Sequence, residues 1–95
     1  MGNQLTAADI PTCDPAKLAS ALRRAFDAAN WAAETSVELQ LSAALLAVVE
    51  ECEAILDGCR DDSGMVAEEQ SRIARVCLRT AATRFVAGGG RLELP

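Results

Sequence analysis

Cysteines at positions 13, 52, 59 and 77 are the side chains in this sequence with the widest range of chemistry. Four thiols can form bridges, hold a metal or supply a nucleophile. Spacing limits each option. Cys52 and Cys59 lie one heptad apart, which on a helix separates their Cα atoms by roughly 10 Å on one face, too far for a bond. In an antiparallel hairpin turning near residue 62, Cys77 comes level with Leu46 or Ala47, roughly 7 to 8 Å along the axis from Cys52. With an earlier turn near residue 35, Cys13 comes level with Leu56 or Asp57, so Cys13–Cys59 is the one bridge that this register allows. The chain has no His, and no C-x-x-C pair occurs, so a zinc site would need all four thiolates. No imidazole is present to activate a thiol. The cysteines therefore read as small apolar fillers, with a cysteine-based redox or metal-binding protein as a third functional alternative.

Glu50, Glu51, Glu53, Asp57, Asp61 and Asp62 form an acidic stretch. Only some of its i, i+3 pairs share a helix face and no calcium-loop pattern occurs, so neither a metal site nor an acid–base pair is expected. Arg72, Arg75 and Arg79 share one stripe that could meet phosphate or an acidic partner. Antiparallel packing would set them near Glu50 and Glu51, and pairing within the chain is the simpler reading. Ser, Thr and Asp occur without His, and Gly88-Gly89-Gly90 follows a helical pattern where a phosphate loop would precede one. No catalytic residue, metal or cofactor is expected, and the chain reads as a non-enzyme.

The elements that must position these residues are helices. Leu41, Leu45, Val48, Cys52, Ile55 and Cys59 recur at alternating spacings of three and four, the seam of a packed helix. Its first half, 41–49, is apolar on nearly every side, as in a helix covered from two directions. Before it, Asp14-Pro15 starts a helix over 14–34, since Asp caps free N–H groups and Pro needs none at the first position. Leu18, Leu22, Ala25, Phe26, Ala29 and Ala33 share its apolar face. Thr35 and Glu38 form a T-x-x-E capping box, which places a turn at 33–36 and a second helix over 36–59.

Turn formers at 58–64 lead to a third helix over 64–87, capped by Asp62 or Ser63. Its core positions are Val66, Ile73, Val76 or Cys77, Thr80 or Ala81, and Phe85. The triple glycine ends it. Residues 1–13 read as a flexible arm holding one local signal, Thr6 three residues before Asp9 with Leu5 and Ile10 on either side. Residues 88–95 read as an unpaired tail despite their strand-like alternation. The fold class is all-α, a small three-helix, mostly antiparallel bundle that self-associates.

Composition narrows the function. The net charge of −5 and the pI near 4.6 disfavour non-specific nucleic-acid binding. No apolar run reaches the length of a membrane span, and a cytoplasmic protein is expected. High Ala and Arg with a single Lys fit a GC-rich bacterial genome. Met1-Gly2-Asn3-Gln4-Leu5-Thr6 matches an acylation pattern at Gly2 but lacks a basic second anchor. What stands out is apolar helix surface beyond the needs of one seam. Trp31 reads as a lid over the end of the bundle and, with Leu39, Leu46 and Val49, as surface for a partner. The function expected is a small protein-interaction module (adaptor, inhibitor or regulatory subunit) that forms a homodimer and binds another protein. The runner-up is a nucleic-acid-associated regulator using Arg72, Arg75, Arg79 and Arg84.

Overall fold

The computed structural model describes residues 3–60 and 65–94, with the side chains at 3, 59, 60 and 65–67 outside that description. The expected caps Asp62 and Ser63, the core position Val66, the Cys59 thiol and Gly2 all lie outside the described residues. In chain order the elements are a strand β1 (Asn3–Leu5), a 3-10 turn (Ile10–Thr12), helices α1 (Pro15–Ala32), α2 (Ser36–Arg60) and α3 (Met65–Ala87), and a strand β2 (Leu92–Leu94). The three helices pack against one another. The fold is a small all-α bundle with a two-stranded ribbon at its side.

The helix limits follow from local chemistry. Asp14 caps α1, its carboxylate accepting from the Ala16 N–H at 3.2 Å, with Pro15 in the first turn. Between α1 and α2 the capping box forms in full. Thr35 Oγ1 accepts from the Glu38 N–H at 3.1 Å, and the Glu38 carboxylate accepts from the Thr35 and Glu34 N–H groups at 3.4 and 2.9 Å. At the end of α3, the Gly88, Gly89 and Gly90 N–H groups donate to the Arg84, Val86 and Phe85 carbonyls. Gly89 sits at φ +94°, where a side chain would be strained. A Cβ at Gly90 would enter the Phe85 ring, so glycine lets that ring lie across the backbone.

The two ends of the chain depart from expectation, because they pair. β1 and β2 run antiparallel in the register Asn3↔Leu94, Gln4↔Glu93 and Leu5↔Leu92. Alternation supplies the reason: Leu5 and Leu92 are both buried while Gln4 and Glu93 stay outside, so the ribbon covers part of the helical core. The segment joining β1 to α1 is ordered by the signal at Thr6. Asp9 Oδ2 accepts from the Thr6 N–H and hydroxyl at 3.2 and 2.9 Å. A single 3-10 turn comes next and buries Ile10.

Two of the helices are rotated from their expected faces. α1 buries Leu18, Leu22 and Phe26 of its expected face together with Ala19 and Ala21, while Ala29, expected on that face, is exposed. In α2 the buried side chains are Ser42, Val49 and Cys52, with Leu45, Leu46, Ile55 and Leu56 packed beside them. Leu41 and Val48, assigned to the seam, are 61% and 47% exposed, each one position before a buried residue. α3 behaves likewise: Ala74, Leu78 and Ala82 are buried, while Ile73 and Val76 stand outside. Ala81 and Phe85 pack on the core as expected. The cause is common to both helices. Each must meet two neighbours at once, and the face between those neighbours is chosen by fit, not by the richest stripe. Small residues, Ser42, Ala74 and Ala82, are among the buried positions.

Candidate functional site

The sites expected from sequence do not converge. Trp31 is 84% exposed and covers nothing, so it is no lid. Leu39 is about half exposed, whereas Val49 is 1% exposed and belongs to the core of its own chain. Val49 is therefore unavailable to a partner unless the bundle opens. Leu46 is half-buried against the core. Arg72 and Arg79 are exposed and Arg75 is half-buried. Arg72 pairs with Glu69 on its own helix at 3.2 Å, not with Glu50 or Glu51. The hollow of about 370 Å³ beside Arg72 and Arg75 is lined also by Glu68 and Glu69, so its guanidiniums face an equal number of carboxylates. Between α1 and α2 Arg23 forms an ion pair with Glu53, at 2.5 Å.

The structure assembles a different place. At the end of the bundle where α1 turns into α2 lies a cleft of about 430 Å³. Ala29, Ala32 and Ala33 line it from α1, Leu41, Ser42 and Leu45 from α2, with Phe26 and Phe85. The two rings meet edge to face, their centroids 5.4 Å apart at 85°, a preferred aromatic geometry. The glycine turn holds Phe85 from behind and the core holds Phe26. The alanines are too short to close the gap between the two helices; that shortage makes the cleft.

Polar groups at the cleft are engaged within the chain. The Glu38 carboxylate caps α2. The Ser42 hydroxyl lies 3.0 Å from Asn30 Oδ1 and 3.1 Å from the Leu39 carbonyl, both acceptors for its single proton. What remains open is hydrocarbon. The volume falls within the range of ligand pockets, but no free polar group is aimed inward to orient a polar substrate.

Outside the cleft the same helix continues the apolar surface. Val37, Leu41 and Val48 are exposed at 71%, 61% and 47%, and with Ala44 they follow spacings of four, three and four, one line along α2. α2 carries acidic residues at 38, 50, 51, 53 and 57 and no Lys or Arg from 36 to 59. The feature is thus a line of aliphatic knobs beside an alanine-walled hole, on a helix whose charged residues are acidic up to its last position, Arg60. The T-x-x-E box marked the turn in the sequence. Three alanines just before it, facing Leu41 and Leu45 across it, were the signal for the hole.

The cysteines also differ from one another. Cys52 is buried on α2 and Cys77 is exposed on α3. Side chains tilt toward the N-terminus of their own helix. In an antiparallel pair that tilt inclines Cys52 and Cys77 toward each other's level. Burial, followed by Cys77 nearby, pushes the Cys52 thiol above its ordinary range. Cys13, Cys52 and Cys77 are unbridged; the Cys13–Cys59 alternative falls on a side chain outside the described residues.

Among the described residues no group of three or more His, Cys, Asp or Glu side chains could hold a metal ion, and no helix is long and apolar enough to cross a membrane. Compared with protein-family models, with curated proteins and with solved structures, the chain matches none.

Proposed function

We propose that this chain is a small protein-interaction module whose docking surface is the cleft at the α1–α2 turn with the Val37–Leu41–Val48 line beside it. The observation that carries the reading is the combination of hole and knobs on one side of α2, with the Ser42 hydroxyl and one Glu38 carboxylate oxygen at the hole bonded within the chain. Such a surface takes aliphatic side chains of an amphipathic helix, in the way helices are received by apolar grooves. The exposed Glu50 and Glu51 of α2 favour a helix whose apolar face is flanked by Lys or Arg. A second copy of this chain is the competing occupant. It would set α2 against α2, acidic on both sides, and gains nothing from that charge pattern.

The test is titration of the isotope-labelled chain with a synthetic amphipathic peptide patterned in Leu and Lys, followed by amide and methyl NMR shifts. Shifts are expected at Val37, Leu41 and the Ala29–Ala33 wall, weakening as salt rises. The Leu41→Asp variant, altered at an exposed position, is expected to keep its fold and lose the shifts. Equal binding of a Leu/Glu peptide, or shifts that avoid Leu41, would overturn the reading. A dimer in light scattering that Leu41→Asp dissociates would assign the same surface to self-association instead.

A further inference from the structure

The docking surface on α2 leaves the outer face of α3 unaccounted for. Between Gln70 and Leu92 the chain carries Arg72, Arg75, Arg79, Arg84 and Arg91 and no Asp or Glu, so five of its nine basic residues fall in one stretch. Within that stretch Ile73 and Val76 are 54% and 52% exposed. The two features share one face. Val76 lies three residues from Ile73 and Arg79 and four from Arg72 and Thr80, which makes all of them its neighbours on the helix surface, and all are exposed. Arg84, also exposed, continues the line one turn past Thr80. Ala74, Leu78 and Ala82 hold the opposite side against the core. The arginines differ in what they already hold. Arg72 pairs with Glu69, and half-buried Arg75 lines the hollow that Glu68 and Glu69 share. Among the described residues neither Arg79 nor Arg84 forms an ion pair. Two uncompensated guanidiniums beside two uncovered aliphatic side chains make a face incomplete in both charge and apolar contact.

We propose that this face of α3 is a second docking surface, and that its occupant is an amphipathic helix whose apolar side is bordered by Asp or Glu. Ile73 and Val76 pack against the aliphatic side chains of that helix, while Arg79 and Arg84 donate to its carboxylates. The two arginines lie about 7.5 Å apart along the axis, a spacing that a partner helix matches with carboxylates about five residues apart. Charge complementarity selects this occupant. A nucleic acid would leave Ile73 and Val76 uncovered and would meet Glu68 and Glu69, both exposed, at the start of the same helix. A second copy docking α3 on α3 would set arginine against arginine. The basic helix that suits α2 would face Arg79 and Arg84 here and be turned away, so the two surfaces discriminate by sign. Together they give the chain two docking faces of opposite charge and make it an adaptor that joins two unlike partners. The α3 surface stands by itself; only the bridging role rests also on the α2 reading.

The experiment titrates the full isotope-labelled chain with a synthetic amphipathic peptide patterned in Leu and Glu, followed by amide and methyl NMR shifts. Shifts are expected at Ile73, Val76 and Arg79, weakening as salt rises and persisting in Leu41→Asp, whose change lies on α2. Arg79→Gln combined with Arg84→Gln, at two exposed positions, is expected to keep the fold and weaken binding on the order of tenfold. Val76→Ser leaves every charge in place and is expected to weaken binding several-fold. Undiminished binding by the double arginine variant would overturn the proposal. So would undiminished binding by Val76→Ser, since the attraction would then be charge alone. A DNA duplex that shifts the same residues at lower concentration than the peptide would give the face to nucleic acid instead. Association of the chain with itself that the double arginine variant abolishes would give it to a second copy. Peptide shifts at Leu41 in place of Ile73 would sink this proposal and count against the α2 reading too, whereas shifts at Ile73 and Val76 leave the α2 reading untouched.

Discussion

α1 and α2 bury their apolar residues by different rules. In α1 the bulky groups Leu18, Leu22 and Phe26 come at intervals of four and all are buried, with alanines and charges around them. Trp31, five residues past Phe26 and so about 140° around the helix, is the exception and projects into solvent. α2 instead carries bulky aliphatics around most of its first half. It buries Val49, half-buries Leu45 and Leu46, and leaves Val37, Leu39, Leu41 and Val48 outside. A helix with one apolar stripe has one way to pack. A helix with several has a choice, and what it does not bury becomes surface that a partner can use.

The sharpest way to break this comparison is a charge on either side of the boundary in α2. Val49→Asp places an unpaired carboxylate in the core and is expected to cost ~3–5 kcal/mol, a large share of the stability of a domain of this size. Val48→Asp, one residue away, is expected to cost ~0.5 kcal/mol or less because the position is wet. Urea denaturation of the two variants decides it. Equal losses would mean that α2 packs on the stripe its periodicity advertises.

A smaller effect separates where α2 begins from how it is turned. Thr35→Ala removes the oxygen that accepts from the Glu38 N–H and is expected to lower stability by ~1 kcal/mol. Amide exchange should quicken through the first turn of α2 while Val49 stays protected. Loss of protection at Val49 would show that the cap also fixes the rotation of the helix.

The smallest expected effect is on pH dependence. Burial raises the Cys52 thiol in the folded chain, and the Cys13 thiol is raised mainly by burial and then by Asp14. The stability these neutral thiols contribute is fully present below the ordinary thiol value of 9.0. It declines as pH rises above that value, because the unfolded chain then ionises first. Cys52→Ala is expected to flatten part of that alkaline decline when urea midpoints at about pH 8 and about pH 10 are compared. An unchanged slope would place the decline elsewhere.

Much of the fold is legible in the residues. Asp14-Pro15, Thr35 with Glu38, and Gly88-Gly89-Gly90 are local signals whose chemistry acts over three or four residues, and each marks a boundary that the structure keeps. The pairing of Leu5 with Leu92 was hidden, because three-residue strands are too short for their alternation to outweigh their place at the ends of the chain. The docking cleft was hidden for a related reason. It is a gap between alanines and leucines of different helices, and no single stretch contains both of its walls.

The sequence by itself determined that the chain forms three helices, where they begin and end, and that α1 packs on Leu18, Leu22 and Phe26. Only the tertiary structure decided which face of α2 and α3 turns inward. It also decided that Leu41 and Val48 stand outside while Ser42 and Val49 do not. Caps and periodicity act within a turn or two of one helix. The rotation of an apolar-all-round helix depends on the shapes of two neighbours distant in sequence, and a shift of one residue in that rotation exchanges core for surface.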